Sequence, residues 1–570
     1  MDGRVFCVRL TIAAACLLCA ACGHRHGKVI VIGVDGMDPG FVERHWDVLP
    51  NLARLRRQGS FSRLRTTTPP QSPVAWSTFI TGLDPDQHGI YDFVRRDPKS
   101  HEIALSTDRT IEPQFRLSLG PWELPLQKTR VESLRRGTPF WQTLADRGVP
   151  VTVIRMPTNY PPVGAGREIA GMGTPDLRGT QGTFTYYTDN PDAAGGDVPG
   201  GMIRKAELRN DHAELVIPGP PNSLRKDRVY STATMLIDID PERPVARFDT
   251  GRSVAVIQEG EWSDWMTVDF PLLPHVVSAT GMFRVYAKRL RPRVEIYISP
   301  VNIDPEEPAL PISSPSSYAK QFGRFYTLGI PEDTASLRQG VFDLGEFLSQ
   351  THLVLEDEQR MLREALQRFD DGFLFFYFSS VDQNSHILWG KHDDLLTPIY
   401  HAVDSAIGEA MTREPDAAFI VMSDHGFSTF DRAVNLNTWL RVEGLDQKAH
   451  AVGLNALYLD GADREDVSRR LLAWRDPKNG TAVVKSVTQT HGGAGAPDLI
   501  IGYSPGYRAS WATGVGDVPP EEIEDNQDAW IADHCINAAD VPGVLFATKG
   551  IRVPNPSLRN LSAVIMGLFQ

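Results

Sequence analysis

Residues 28–38 read KVIVIGVDGMD. An unbroken apolar run of this length, closed by Asp35-Gly36, is the pattern of a strand covered on both faces. Such a strand needs parallel neighbours and helices above and below it. The rest of the chain supplies both. Residues 47–58, DVLPNLARLRRQ, repeat apolar positions at helical spacing, and Gly59 is placed to end the helix. Residues 138–148, TPFWQTLADRG, predict another helix, followed by the strand VPVTVIRMP. After about residue 340 the alternation resumes. Helices are expected at 354–369 and 395–411, and strands at 373–380, 417–426 and 541–550. The expected fold is α/β, a mostly parallel central sheet with helices on both faces.

Residues 160–335 break this rhythm. Gly, Pro and Asp are frequent there, and RPVARFDT, RSVAVIQ, FRVYAKRL and RVEIYISP are β-branched and aromatic. The expected organisation is a discontinuous catalytic domain over 28–160 and 340–560, with a β-rich insertion or cap over 161–335. With 41% apolar residues in 570, the chain can bury a large core.

The first 22 residues read as an export segment. Arg4 and Arg9, in a short positive region, precede the apolar stretch LTIAAACLLCAA, which is too short for a comfortable membrane span. Cys22 follows two alanines, as in a bacterial lipoprotein signal, although Cys19 stands where Leu is usual. Cleavage near Ala21 and an uncleaved anchor are the alternatives. An exported protein is expected, lipid-anchored at Cys22 and facing the periplasm or the cell exterior. Only Cys535 lies outside this segment, so no disulfide is expected within the mature body. The net charge of −13 argues against a nucleic-acid coat or an anionic membrane surface as the main partner.

The residues able to bind metal fall at strand ends. Asp35 follows the first strand, Asp382 and His386 follow FLFFYFSS, and Asp424 and His425 follow FIVM. In open parallel sheets, sites gather beyond the carboxyl ends of strands. His534, before the last strand, is placed to join them, with His491 as its competitor. Carboxylate oxygens and imidazole nitrogens together suit zinc, and a mixed set shared by two ions suits phosphoryl chemistry. Ser72 is read as a helix N-cap with Pro73 at the first helical position. There its hydroxyl lies beside free backbone N–H groups and the positive end of the helix dipole. Thr66, Thr67, Thr68 and Ser77 are the rival hydroxyls. His88 is expected to hold a turn behind the nucleophile helix.

This ordered set, Asp35-Gly36, Ser72 with FITGLDPDQHGI, Asp382 with His386, SDHG at 423–426, and His534, resembles the alkaline phosphatase superfamily. Within it the set is most similar to the type I phosphodiesterase/nucleotide pyrophosphatase family. The resemblance implies two divalent metal ions, zinc by preference. Asp35, Ser72, Asp424 and His425 would hold one ion, and Asp382, His386 and His534 the other. It also implies phosphodiester or pyrophosphate hydrolysis through a phosphoryl group on Ser72, which water then releases. The expected substrate is a small-molecule or headgroup phosphate ester. The family usually has Thr at the position of Ser72 and an Asn shortly after it; SPVA here lacks that Asn. Phosphomonoester hydrolysis at the same site and a catalytically inactive surface binding protein are the alternative readings. The sulfatase pattern does not fit, because Pro73 follows Ser72 directly and Trp76 stands where Arg is needed.

Overall fold

The computed structural model describes residues 26–190 and 195–570. The export segment and Cys22 lie outside the described residues. The central sheet has eight strands: β1 (Lys28–Val34), β2 (Ser60–Leu64), β3 (Val151–Met156), β4 (Arg167–Ala170), β5 (Ser313–Ser314), β6 (Gly372–Phe378), β7 (Ala418–Met422) and β8 (Gly543–Ala547). Their spatial order is β2-β8-β7-β1-β6-β3-β4-β5. The five strands from β7 to β4 are mutually parallel. The outer pairings β4-β5, β7-β8 and β8-β2 are antiparallel, so β5 and β8 oppose the five and β2 runs with them.

Eight helices matter for the site. They are α1 (Pro39–Arg44), α2 (Pro50–Gln58), α3 (Ser72–Thr81), α4 (Phe140–Asp146), α5 (Leu344–Gln367), α6 (Ser380–Leu388), α7 (Asp393–Arg413) and α8 (Leu558–Gly567). Alternation along β1 divides the core between two layers. Ile30, Ile32 and Val34 pack with α1, α2, α5 and α7, whereas Val29 and Val31 pack with α3, α4 and α8. Each such side chain, withdrawn fully from water, contributes about 1.5–3 kcal/mol.

Helix α5 begins ten residues before the expected position 354. Asp343 and Glu346 form a reciprocal capping box there, which fixes the earlier start. The apolar run after residue 541 is a strand, but it pairs antiparallel with both β7 and β2.

Residues 184–298 build separate β-layers, including a five-stranded sheet and a four-stranded antiparallel sheet. Two strands within 161–335, β4 and β5, extend the central sheet instead. Residues 94–133 form small hairpins: Val94–Arg96 with Ile103–Leu105, Asp108–Ile111 with Arg130–Ser133, and Arg116–Leu119 with Trp122–Pro125. Among the described residues, no helix is long and apolar enough to cross a membrane. Cys535 is a buried free thiol.

Candidate active site

The pairing register brings the ends of β1, β6 and β7 level. Val34 lies opposite Phe378, and Gly33 opposite Met422. The next residues on each strand therefore emerge at one edge, and Asp35 N–H donates to Phe378 O at 3.0 Å. Strand β6 passes straight into α6, so Asp382 and His386, four residues apart, share one helix face. Asp424 and His425 leave the end of β7.

Gly36 adopts φ +64°, and a Cβ at this position would stand 2.7 Å from Asp382 Oδ1 and 2.5 Å from the Phe427 ring. The glycine permits both the turn and the close approach. Its N–H donates to Asp424 Oδ1 at 3.1 Å. Gly33 likewise leaves room for the Trp76 ring, which a Cβ would meet at 2.6 Å. The Trp76 indole N–H donates to Asp35 Oδ2 at 2.8 Å, and the Tyr377 hydroxyl to the same oxygen at 2.6 Å.

Ser72 Oγ lies 3.3 Å from Asp35 Oδ1 and 3.1 Å from His425 Nε2. Its place in the helix differs from the sequence expectation. Gln71 is the N-cap and Ser72 is the first helical residue, with Pro73 second. The Gln71 carbonyl already accepts from Val74 and Ala75 N–H, and its amide is anchored on Asp92 and Asn455. The cap role is thus filled one residue earlier, and the Ser72 hydroxyl faces the acidic cluster. Two of the four rival hydroxyls are engaged elsewhere: Thr67 bonds Pro69 O and Ser77 bonds Pro73 O, whereas Thr66 Oγ1 is buried without a hydrogen-bond partner.

Three groups of potential ligands assemble among the described residues, each with its donor atoms within 4.8 Å of one another. Two match the expected sets, Asp35, Asp424 and His425, and Asp382, His386 and His534; the third, Asp533, His534 and Cys535, shares His534 with the second. His425 Nε2 stands 3.2 Å from Asp424 Oδ2 and 3.6 Å from Asp35 Oδ1. His386 Nε2 is 3.4 Å from Asp382 Oδ2, and His534 Nε2 is 4.0 Å from Asp382 Oδ1. The rings of His425 and His534 stack with centroids 3.5 Å apart, which joins the two groups. His491 lies exposed, its N–H on Asp86, outside both groups.

Imidazole orientation is fixed from behind. His386 Nδ1 lies 2.9 Å from Ala532 O, and His534 Nδ1 lies 2.7 Å from Pro70 O. Each carbonyl requires a proton on Nδ1 and so frees Nε2 as a ligand atom.

The electrostatics are those of a crowded anionic site. Burial, then the nearby charge of Asp382, pushes Asp35 up to about 7. Burial, then Asp35 and Asp382, holds Asp424 well above the usual carboxylate range. Burial also keeps His425 well below its ordinary value, and the neighbouring His534 adds to this. Burial works against the charge of Asp382, yet the adjoining His386 holds that carboxyl below its ordinary value. Asp382 Oδ1 and Asp424 Oδ2 are buried without a hydrogen-bond partner.

Trp530 and Asp533, which sequence reasoning missed, surround these groups together with Arg508 and, behind α3, His88. Trp530 stacks on His386 at 3.7 Å between centroids. Asp533 accepts from Trp530 Nε1, from Arg508 Nε at 2.6 Å, and from the N–H groups of His534 and Cys535. Its adjacency to His534 was the available signal. His88 is buried behind α3. Its Nε2 lies 3.0 Å from Thr78 Oγ1, and its Nδ1 accepts from Ile90 N–H. Burial, with Arg135 and Arg136 adding to it, pushes this imidazole down to about 3.

The sequence model of the type I phosphodiesterase / nucleotide pyrophosphatase family matches residues 29–228 and 303–510. Curated relatives include a venom phosphodiesterase of Crotalus durissus collilineatus, 22% identical over 236 residues, covering 38% of this chain and 26% of that protein. Ectonucleotide pyrophosphatase/phosphodiesterase family member 3 of Rattus norvegicus is 24% identical over 228 residues, covering 38% and 25%. The chain thus spans about a quarter of the length of these relatives. Among solved structures, phosphonoacetate hydrolase from Sinorhizobium meliloti 1021 in complex with phosphonoacetate aligns over 95% of this chain and 96% of its own, at 12% identity and a TM-score of 0.47. Murine ectonucleotide pyrophosphatase/phosphodiesterase 5 aligns over 95% of each chain at 11% identity and 0.44. At these TM-scores the structural likeness carries no part of the functional reading.

Proposed function

Because the chain belongs to the type I phosphodiesterase/nucleotide pyrophosphatase family, we propose that it is a metal-dependent hydrolase of phosphodiester or pyrophosphate bonds with Ser72 as nucleophile. The observation that carries this reading is the position of Ser72 Oγ, within 3.3 Å of both Asp35 and His425 at the start of a helix.

The donor set fits a pair of divalent cations. Three carboxylates and three imidazoles converge, and two carboxylate oxygens are buried with no partner. Unpaired buried charge of this kind is costly unless a cation compensates it. Asp35, Ser72, Asp424 and His425 are proposed for one ion and Asp382, His386 and His534 for the other. Oxygen and imidazole donors suit zinc, and also manganese or iron. Bound there, such ions would ease deprotonation of a hydroxyl and neutralise charge on the phosphoryl oxygens.

The chain's own residues then do the following. Ser72 Oγ attacks phosphorus, an O–P bond forms, and the bond to the leaving oxygen breaks. Water next attacks the phosphoryl-serine, which restores the hydroxyl and releases phosphate monoester. Trp76 and Tyr377 hold the Asp35 carboxylate in one orientation beside Ser72 throughout. The β-rich segment 161–335 is proposed to wall the pocket through Thr180–Thr183 and Pro300. Export is proposed from the N-terminal stretch, and the words "venom" and "ecto" in the relatives' names accord with it.

The test is a panel of phosphodiester, pyrophosphate and phosphomonoester substrates with added zinc, run on wild type and Ser72→Ala. A loss of at least ~100-fold is expected on substitution. Undiminished activity in Ser72→Ala would remove the nucleophile assignment. Failure to bind divalent metal under zinc-replete conditions would favour a binding protein without catalysis.

A further inference from the structure

The hairpin of Arg116–Leu119 with Trp122–Pro125 pairs Leu117 with Leu124 and Leu119 with Trp122. Leu126 N–H donates to Phe115 O at 2.9 Å, which extends the ladder by one more pair. Residues directly opposite one another point to the same side, and alternate residues along a strand share that side. Phe115, Leu117, Leu119, Trp122, Leu124 and Leu126 therefore form one apolar face. Arg116, Ser118 and Glu123 take the other. Among the described residues no layer closes over the apolar face: Phe115 is 62% exposed, Leu117 49%, Leu119 53% and Leu126 67%.

A two-stranded ribbon is marginal in water on its own. This one is tied down along one edge. Glu123 N–H donates to Leu224 O at 2.8 Å, Lys226 N–H to Pro121 O at 3.1 Å, and Arg116 Nη1 to Ser223 O at 3.3 Å. Polar bonds thus hold an apolar surface out in solvent, and a contiguous surface of that kind marks a place of contact.

The charges around it are unbalanced. Glu112, Glu123, Glu132 and Asp227 each face an arginine. Lys128, Arg130 and Lys226 are exposed and have no ion-pair partner among the described residues. In a chain whose net charge is −13, this rim reverses the sign locally. Apolar side chains and a tryptophan bordered by spare cations suit a bilayer interface, where the cations meet anionic headgroups. A protein partner fits less well. Lysine is depleted in protein–protein interfaces, and a two-fold pairing of copies would bring the same cations together.

We propose that this hairpin docks the protein on the surface of an anionic lipid bilayer. Phe115, Leu117, Leu119 and Leu126 enter the boundary between headgroups and acyl chains, and Lys128, Arg130 and Lys226 lie against the headgroups.

The test uses residues 23–570, which hold every described strand and helix without the N-terminal apolar stretch. The probes are vesicles of phosphatidylcholine and of an equal mixture of phosphatidylcholine and phosphatidylglycerol. Co-sedimentation should show at least ~tenfold tighter binding to the mixed vesicles. Leu117→Ser with Leu119→Ser should weaken that binding at least ~tenfold, because two leucines no longer gain by leaving water. Lys128→Gln with Lys226→Gln should cut the preference for mixed vesicles at least ~fivefold. All four positions are exposed, and thermal unfolding checks that each variant is folded. Equal binding to the two vesicle types, or undiminished binding by the leucine variant, overturns the proposal. So does a wild-type dimer in light scattering that the leucine variant dissolves, with no binding to vesicles.

Discussion

His534 Nδ1 lies 2.7 Å from the carbonyl oxygen of Pro70, two residues before Ser72. One hydrogen bond therefore links the last potential ligand in the sequence to the loop that sets the proposed nucleophile. The position of a proposed metal ligand and that of the proposed nucleophile are mechanically joined at this point.

The link has a measurable consequence. His534→Ala removes a proposed ligand and also frees the Pro70 carbonyl. Amide hydrogen exchange in the first turn of α3 should accelerate in this variant. In Ser72→Ala, where the loop stays tethered, it should remain near the wild-type rate.

Removal of divalent metal should lower stability. The unpartnered oxygens of Asp382 and Asp424 and the crowded carboxylates are then uncompensated. Restoring zinc to 100 times its Kd should return about 2.7 kcal/mol. Thermal unfolding after chelation and after zinc addition checks this, and an unchanged midpoint would contradict it.

Gly36→Ala should leave the fold intact but disturb the site. The new methyl meets Asp382 Oδ1 at 2.7 Å in a left-handed backbone conformation. Zinc affinity should fall roughly 10–100-fold, read by competition with a chromogenic chelator.

Asp533 and Arg508 form a buried pair, with Nε 2.6 Å from Oδ2. Removing either partner alone, as in Asp533→Leu or Arg508→Leu, should cost about 3–5 kcal/mol, because the other charge is left unpaired. The double substitution should recover part of that loss in urea denaturation.

Glu332 and Glu358 share Ser379 and Ser380 as donors beneath α6, with Arg155 3.3 Å from Glu358. Burial, then the charge of Glu358, pushes Glu332 up to about 8 from its ordinary value of 4.5. The folded chain holds this proton more tightly than the unfolded chain does. The resulting stability is full below about pH 4.5 and is lost as pH rises through about 8. Glu332→Gln should flatten this part of the stability–pH curve, as measured by urea unfolding at pH 5 and pH 8.5.

The first strand, its parallel partners and the strand-end acids were legible because they depend on local apolar runs and on short spacings such as Asp382 to His386. The cap at Gln71 was less legible. Its side chain is held by Asp92 and by Asn455, the latter 384 residues away, and no local pattern announces that. The early start of α5 was written in Asp343 and Glu346, but that pair lies ahead of the helix's strong apolar stripe. Within 161–335 the β-rich character was visible, while sheet membership was not. A β-branched run does not name its partner, so β4 and β5 read like their neighbours although they join the central sheet.

Strand β8 is the last in the chain and sits between β2 and β7, bonding to both. A polypeptide terminated before residue 543 would leave β2 without the one partner it has among the described strands and β7 with a bare edge of amide and carbonyl groups. Exposed edges recruit other strands. Premature stop codons late in the coding sequence should therefore yield aggregates and not shortened, partly working proteins.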